Sequence, residues 1–143
     1  MRKLVVVIAA LILLAKVANP DPATDIAVAK QITEWVHDSI EYESSPDIIK
    51  KPWATVASMR GDCADMSALI LAMLEDRGIH GEMVILEMQG TLPPRHAIVR
   101  LWGVLFDAVS GMMFTDEFPL PHKFASAYTF DNILFDWDWR IKK

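Results

Sequence analysis

Hydrophobic positions follow two rhythms along this chain. Up to about residue 80 they recur at helical spacing, and beyond it they cluster as they do in strands. Val28, Ile32, Trp35, Val36 and Ile40 form one apolar stripe, which predicts a helix over about Asp25 to Ile40. Met66, Leu69, Ile70, Met73 and Leu74 form a second stripe, from Cys63 to about Arg77, and Gly78 supplies a stop. Between them, Glu43 to Asp47 reads as a turn, and residues 48–60 as loop or short helix around Pro52-Trp53. Glu82–Met88, His96–Leu101 and Val104–Val109 read as strands, with Trp102-Gly103 turning the last two into a hairpin. Residues 110–130, with Pro119 and Pro121, read as irregular, and Ile133–Trp139 as a last strand or an aromatic tail. Helices first and an antiparallel sheet second is the α+β pattern.

The N-terminus has a different character. Arg2 and Lys3 precede Leu4–Ala15, twelve residues without a polar side chain. A spanning helix needs roughly 20 apolar residues, so this length suits the apolar core of an export signal. Cleavage after Ala18 would place Lys16 where a small residue is preferred, so an uncleaved membrane tether through residues 4–18 stays open, as does a buried first helix. The expected division is a signal or anchor over 1–18, a linker over 19–24 around Pro20 and Pro22, and one domain over 25–143. That division implies an exported or membrane-anchored protein.

Charge narrows the partners. The 143 residues carry a net charge of −5. Without residues 1–18, Arg2, Lys3 and Lys16 are lost, which leaves 11 basic against 19 acidic groups. An acidic domain with no Lys/Arg stripe argues against a nucleic-acid partner. No phosphate-binding loop, dinucleotide fingerprint or zinc spacing occurs.

The chemistry gathers around one thiol. Cys63, the only cysteine, cannot form an intramolecular disulfide. Gly61-Asp62 offers a turn and an N-cap, which places Cys63 in the first turn of its helix. There the dipole and the unpaired N–H groups favour a thiolate and could bind an oxyanion. Asp62 and Asp65 oppose that charge, so an imidazole partner is needed. Of His37, His80, His96 and His122, only His96 begins a strand. If Trp102-Gly103 is a two-residue loop, Leu101 pairs with Val104, and His96 and Asp107 become diagonal neighbours on one face. A three-residue loop would separate them. The plainer alternatives are a buried structural thiol, a half-buried strand histidine and an aspartate facing water. Asp136 and Asp138, alternating with Trp137 and Trp139, could instead serve glycan cleavage.

Gly61-Asp62-Cys63-Ala64-Asp65-Met66-Ser67-Ala68-Leu69, Leu74, Gly78-Ile79, His96-Ala97-Ile98-Val99 and Phe106-Asp107 resemble the transglutaminase-like superfamily. Glu41-Tyr42-Glu43 and Pro52-Trp53-Ala54-Thr55 are similar to its bacterial cysteine proteinases of the periplasm, which implies a periplasmic protein or one anchored facing the periplasm. The resemblance implies a papain-like α+β fold, with the nucleophile helix packed on an antiparallel sheet. It implies Cys63 as nucleophile, His96 as general base and Asp107 as its orienter, with Trp53 lining the site or donating to the oxyanion. It implies cleavage of peptide or amide bonds through an acyl-enzyme, on a protein or peptide substrate. A protein-glutamine acyltransferase and a non-catalytic binding domain of the same fold are the alternatives. The proteinases often carry an acidic residue directly after the cysteine that helps bind calcium. Ala64 stands there, which leaves Asp62 and Asp65 as the calcium candidates and implies no other cofactor.

Overall fold

A computed structural model describes residues 20–44, 49–90, 94–115 and 118–133. The expected signal or anchor, the Asp136/Asp138 pair and all but the first residue of the Ile133–Trp139 segment lie outside these residues. The elements are α1 (Pro22–Ser39), β1 (Glu41–Tyr42), α2 (Pro52–Ser58), β2 (Arg60–Gly61) and α3 (Cys63–Glu75). Then follow β3 (Glu82–Met88), β4 (Arg95–Leu101), β5 (Val104–Asp107), β6 (Met112–Phe114), β7 (His122–Thr129) and a 3-10 turn (Phe130–Asn132). The class is α+β, as expected. No helix among the described residues is long and apolar enough to cross a membrane.

The helix α1 starts at Pro22, not Asp25. Asp21 caps it by accepting the Ala23 N–H at 3.3 Å, and Pro22 occupies a first-turn position where no donor is required. Half of the expected 19–24 linker is therefore helical.

Five strands form an antiparallel sheet in the order β6-β5-β4-β3-β7. One face carries the main core, where Ile32 and Val36 of α1 and Leu69, Ile70 and Leu74 of α3 meet Met83, Ile85, Val99 and Phe106. The other face has a smaller layer of Val84, Leu86, Ile98, Leu105 and Phe118. Apolar burial on both faces explains why β3 reads as a continuous run rather than an alternation.

Residues 110–130 are not irregular, since they supply β6 and β7. β6 has three residues. β7 is a mostly exposed edge strand whose pairing with β3 shifts between Ile85 and Leu86, so it lacks the apolar alternation that marks a half-buried strand. The β4–β5 hairpin has the two-residue loop. Leu101 pairs with Val104, and Trp102 and Gly103 take φ of 51° and 76°, as a twist-matched tight hairpin turn requires. That conformation strains a tryptophan. Its indole N–H compensates by donating to the buried Asp25 of α1 at 2.9 Å, which ties the hairpin tip to the helix layer.

Candidate active site

The approach to Cys63 is built from backbone. β1 and β2 pair in parallel, Tyr42 with Gly61, and the Glu43 N–H donates to the Gly61 carbonyl at 3.0 Å. A Cβ at Gly61 would lie 2.7 Å from the Asp65 Cβ, so only glycine lets the chain pass here. Asp62 is the N-cap of α3. Its Oδ1 accepts the N–H groups of Ala64 and Asp65 at 3.0 Å each, and Asp65 Oδ2 returns the contact by accepting the Asp62 N–H at 3.1 Å. This reciprocal capping box fixes Cys63 as the first helical residue. Asp65 Oδ1 also accepts the Lys50 N–H at 2.8 Å, so the same carboxylate anchors the segment leading into α2. Burial and then repulsion from Asp62 raise the Asp65 carboxyl from 3.8 to about 6, against the pull of those two N–H donors and the Lys50 charge.

His96 and Asp107 meet where the sheet opens. β5 pairs with β4 only from Leu101↔Val104 to Val99↔Phe106, so β4 runs on past it through Ile98, Ala97, His96 and Arg95. The N-terminus of α3 fills this gap. The Ala97 N–H reaches Cys63 Sγ at 3.5 Å, and the buried Ser67 hydroxyl donates to the Ala97 carbonyl at 3.2 Å. Both backbone groups of the residue after His96 are thus held by the cysteine's helix. His96 Nε2 lies 3.0 Å from Asp107 Oδ1, which leaves Nδ1 as the nitrogen for the thiol, with which the ring also hydrogen-bonds.

Electrostatics follow this geometry. Burial pushes the His96 imidazole down. The hydrogen bonds that the ring donates to Asp107 and Cys63, and then the charges of those groups, outweigh it and raise the group from 6.5 to about 10. Burial likewise pushes the Asp107 carboxyl up, but the His96 hydrogen bond and charge, the Ser110 hydroxyl and the Val109 N–H hold it below its ordinary value. The ring of Phe118 lies 5.7 Å from that of His96 and shields its outer side.

The structure therefore brings together Cys63, His96 and Asp107. Trp53 stands apart in character. It is 71% exposed, the most exposed of the large apolar side chains among the described residues. Asp62 and Asp65 are both buried, and Asp62 Oδ1 and both Asp65 oxygens serve backbone N–H groups. They fit a helix cap rather than a calcium site, and no cluster of three or more His, Cys, Asp or Glu that could hold a metal occurs among the described residues. His80 is exposed and pairs with Glu75 at 2.9 Å. His37 bonds the Ala108 carbonyl at 3.1 Å through Nδ1, so α1 pins the turn that follows Asp107. His122 opens β7.

Ser110 was not among the expected site residues. Its hydroxyl donates to Asp107 Oδ2 at 3.0 Å and accepts the Met112 N–H at 3.3 Å, while the Val109 N–H donates to Asp107 Oδ1 at 3.1 Å. The signal was present as Asp107-Ala-Val-Ser110-Gly111, an aspartate that bonds backbone two residues on within a turn.

Comparison with known proteins settles the lineage. The sequence matches the transglutaminase-like superfamily over residues 13–105, well over half of the chain. The chain belongs to the transglutaminase-like superfamily. Among solved structures, this transglutaminase-like chain is similar to Legionella pneumophila LapG, with a TM-score of 0.59 and 14% identity. The match covers 72% of this chain and 62% of LapG, so the chain spans less than two thirds of that protein's length. A candidate cysteine protease from Cytophaga hutchinsonii matches with a TM-score of 0.49 and 19% identity, over 71% of this chain and 43% of that one. At 14% identity the likeness to LapG is one of fold. No curated protein matches this transglutaminase-like sequence.

Proposed function

We propose that this transglutaminase-like domain cleaves peptide or amide bonds with Cys63 as nucleophile. The observation that carries the reading is the half-buried His96–Asp107 hydrogen bond of 3.0 Å, formed by a histidine that also bonds the lone thiol at a helix N-terminus. Asp107 holds the His96 ring in place, and His96 is the group that takes the thiol proton. The Cys63 thiolate attacks the substrate carbonyl, and the C–S bond forms as the carbonyl electrons move to oxygen. The Cys63 N–H, a first-turn donor that Asp62 Oδ1 does not take, is the nearest candidate for that oxyanion. Collapse breaks the C–N bond, and His96 gives its proton to the leaving amine. His96, now neutral, takes a proton from water as it attacks the thioester, which releases the acid and restores the thiol pair. An amine in place of that water makes the same site an acyltransferase. Trp53 lines the approach in this reading, and Leu4–Ala15 supports export or tethering.

The test is cleavage of a peptide mixture derived from unfolded proteins. Wild type produces new termini, Cys63→Ser produces none, and His96→Ala loses about 10²–10⁴-fold in rate. Cleavage that survives Cys63→Ser contradicts the proposal. A non-catalytic binding domain would leave the mixture intact, and added amine captured as new amides would favour transfer.

A further inference from the structure

A cavity of about 340 Å3 opens at the loop end of the β3–β4 pair, lined by Glu87, Met88, Gln89, Pro94, Arg95 and Lys123. Strand alternation places its charged members. Met83 and Ile85 face the helix layer and Val84, Leu86 and Met88 the other face, so Glu87 projects on the helix side. Ala97 and Val99 also face the helices, which puts Arg95 on that side. Lys123 is the direct partner of Glu87 on β7 and shares its face. Arg95, Glu87 and Lys123 thus form a row across three strands. Arg95 lies two residues, about 7 Å, along β4 from Ala97. Ala97 is the residue whose N–H meets Cys63 Sγ. The row therefore lies ahead of the α3 N-terminus, on the face that α3 covers.

The charges in this row do not cancel. Arg95 and Glu87 are 4.0 Å apart with both side chains partly exposed, a loose contact rather than a bidentate pair. Lys123 is exposed and makes no ion pair among the described residues. One positive charge is left over, in a domain whose overall balance is acidic.

We propose that this hollow is a subsite for an acidic side chain, Asp or Glu, of the peptide substrate, held between Arg95 and Lys123. The inference rests on the peptidase reading and names the substrate class for it. Arg95 offers the carboxylate a planar fork beside Glu87, and Lys123 offers a point charge from the opposite side. Glu87 lies between the two cations, so a lysine side chain in the same place would meet two like charges and one opposite, a carboxylate the reverse, and the row favours the acid by one net charge. Because both cations are partly exposed, the preference is modest and weakens with salt.

The test needs no turnover. Cys63 is labelled by matched peptidyl chloromethyl ketones carrying Glu, Gln or Lys, in two sets with that residue second or third from the reactive carbon. In one set the Glu probe labels about fivefold faster than the Gln probe, and the Lys probe is slowest. The Glu-to-Gln ratio falls towards one in Lys123→Gln and inverts in Lys123→Glu. Equal rates in both sets, or a Glu preference untouched by Lys123→Glu, overturns the subsite and leaves the nucleophile standing. If no probe labels Cys63, the peptidase reading fails and the subsite falls with it.

Discussion

At the residue scale, the site depends on how firmly Asp107 is held. Its Oδ1 accepts from His96 and the Val109 N–H, and its Oδ2 accepts from Ser110. Because the Ser110 oxygen also accepts the Met112 N–H, its own proton is directed at Asp107. Ser110 is thus a positioning residue, acting through Asp107. Ser110→Ala should lower the cleavage rate by about fivefold, the worth of one hydrogen bond near 1 kcal/mol. It should also bring the His96 titration, followed by NMR, down from about 10. Ser110→Thr keeps the hydroxyl and should restore both. A rate loss with no movement of the His96 titration would mean that Ser110 only supports the turn.

At the scale of elements, the nucleophile is placed by the contact between β2 and α3. Gly61 passes so close to Asp65 that a methyl group there would have to displace the capping box. Gly61→Ala should cost about 1–3 kcal/mol in urea unfolding, a cost expected of overpacking, and should slow reaction at Cys63. A neutral effect would show that the cap tolerates a shift. The N-cap at Asp62 and the Trp102-Gly103 hairpin were both legible in the sequence, because each is local: a glycine followed by a capping aspartate, and a glycine-containing pair between two apolar runs. His96 and Asp107 came within reach through the two-residue form of that hairpin and through the resemblance. β6 and β7 were not legible. Their order in the sheet is set by contacts across the chain, and exposed edge residues such as Lys123 and Phe124 carry no apolar rhythm. The aspartate turn around Ser110 was visible but meant nothing until Asp107 had a partner.

At the scale of the whole molecule, the same ion pair links function to stability. His96 is raised in the folded state, so its stabilisation is complete below the unfolded value of 6.5 and is lost as pH rises to about 10. Asp107 is lowered, so its contribution is present above 3.8 and is lost as pH falls through its folded value. Wild type should therefore lose stability between pH 6.5 and 10 in urea titrations, and Asp107→Asn should lose less over that window. Equal slopes would mean that the pair is not formed. The most direct test of the central claim is the rate at which iodoacetamide alkylates Cys63 from pH 4 to 9, in wild type, His96→Ala and Asp107→Asn. The account predicts fast alkylation that persists below pH 7 in wild type, collapses in His96→Ala and weakens in Asp107→Asn. A slow rate that rises only near pH 8.5, alike in all three proteins, would mean an ordinary thiol and would contradict it.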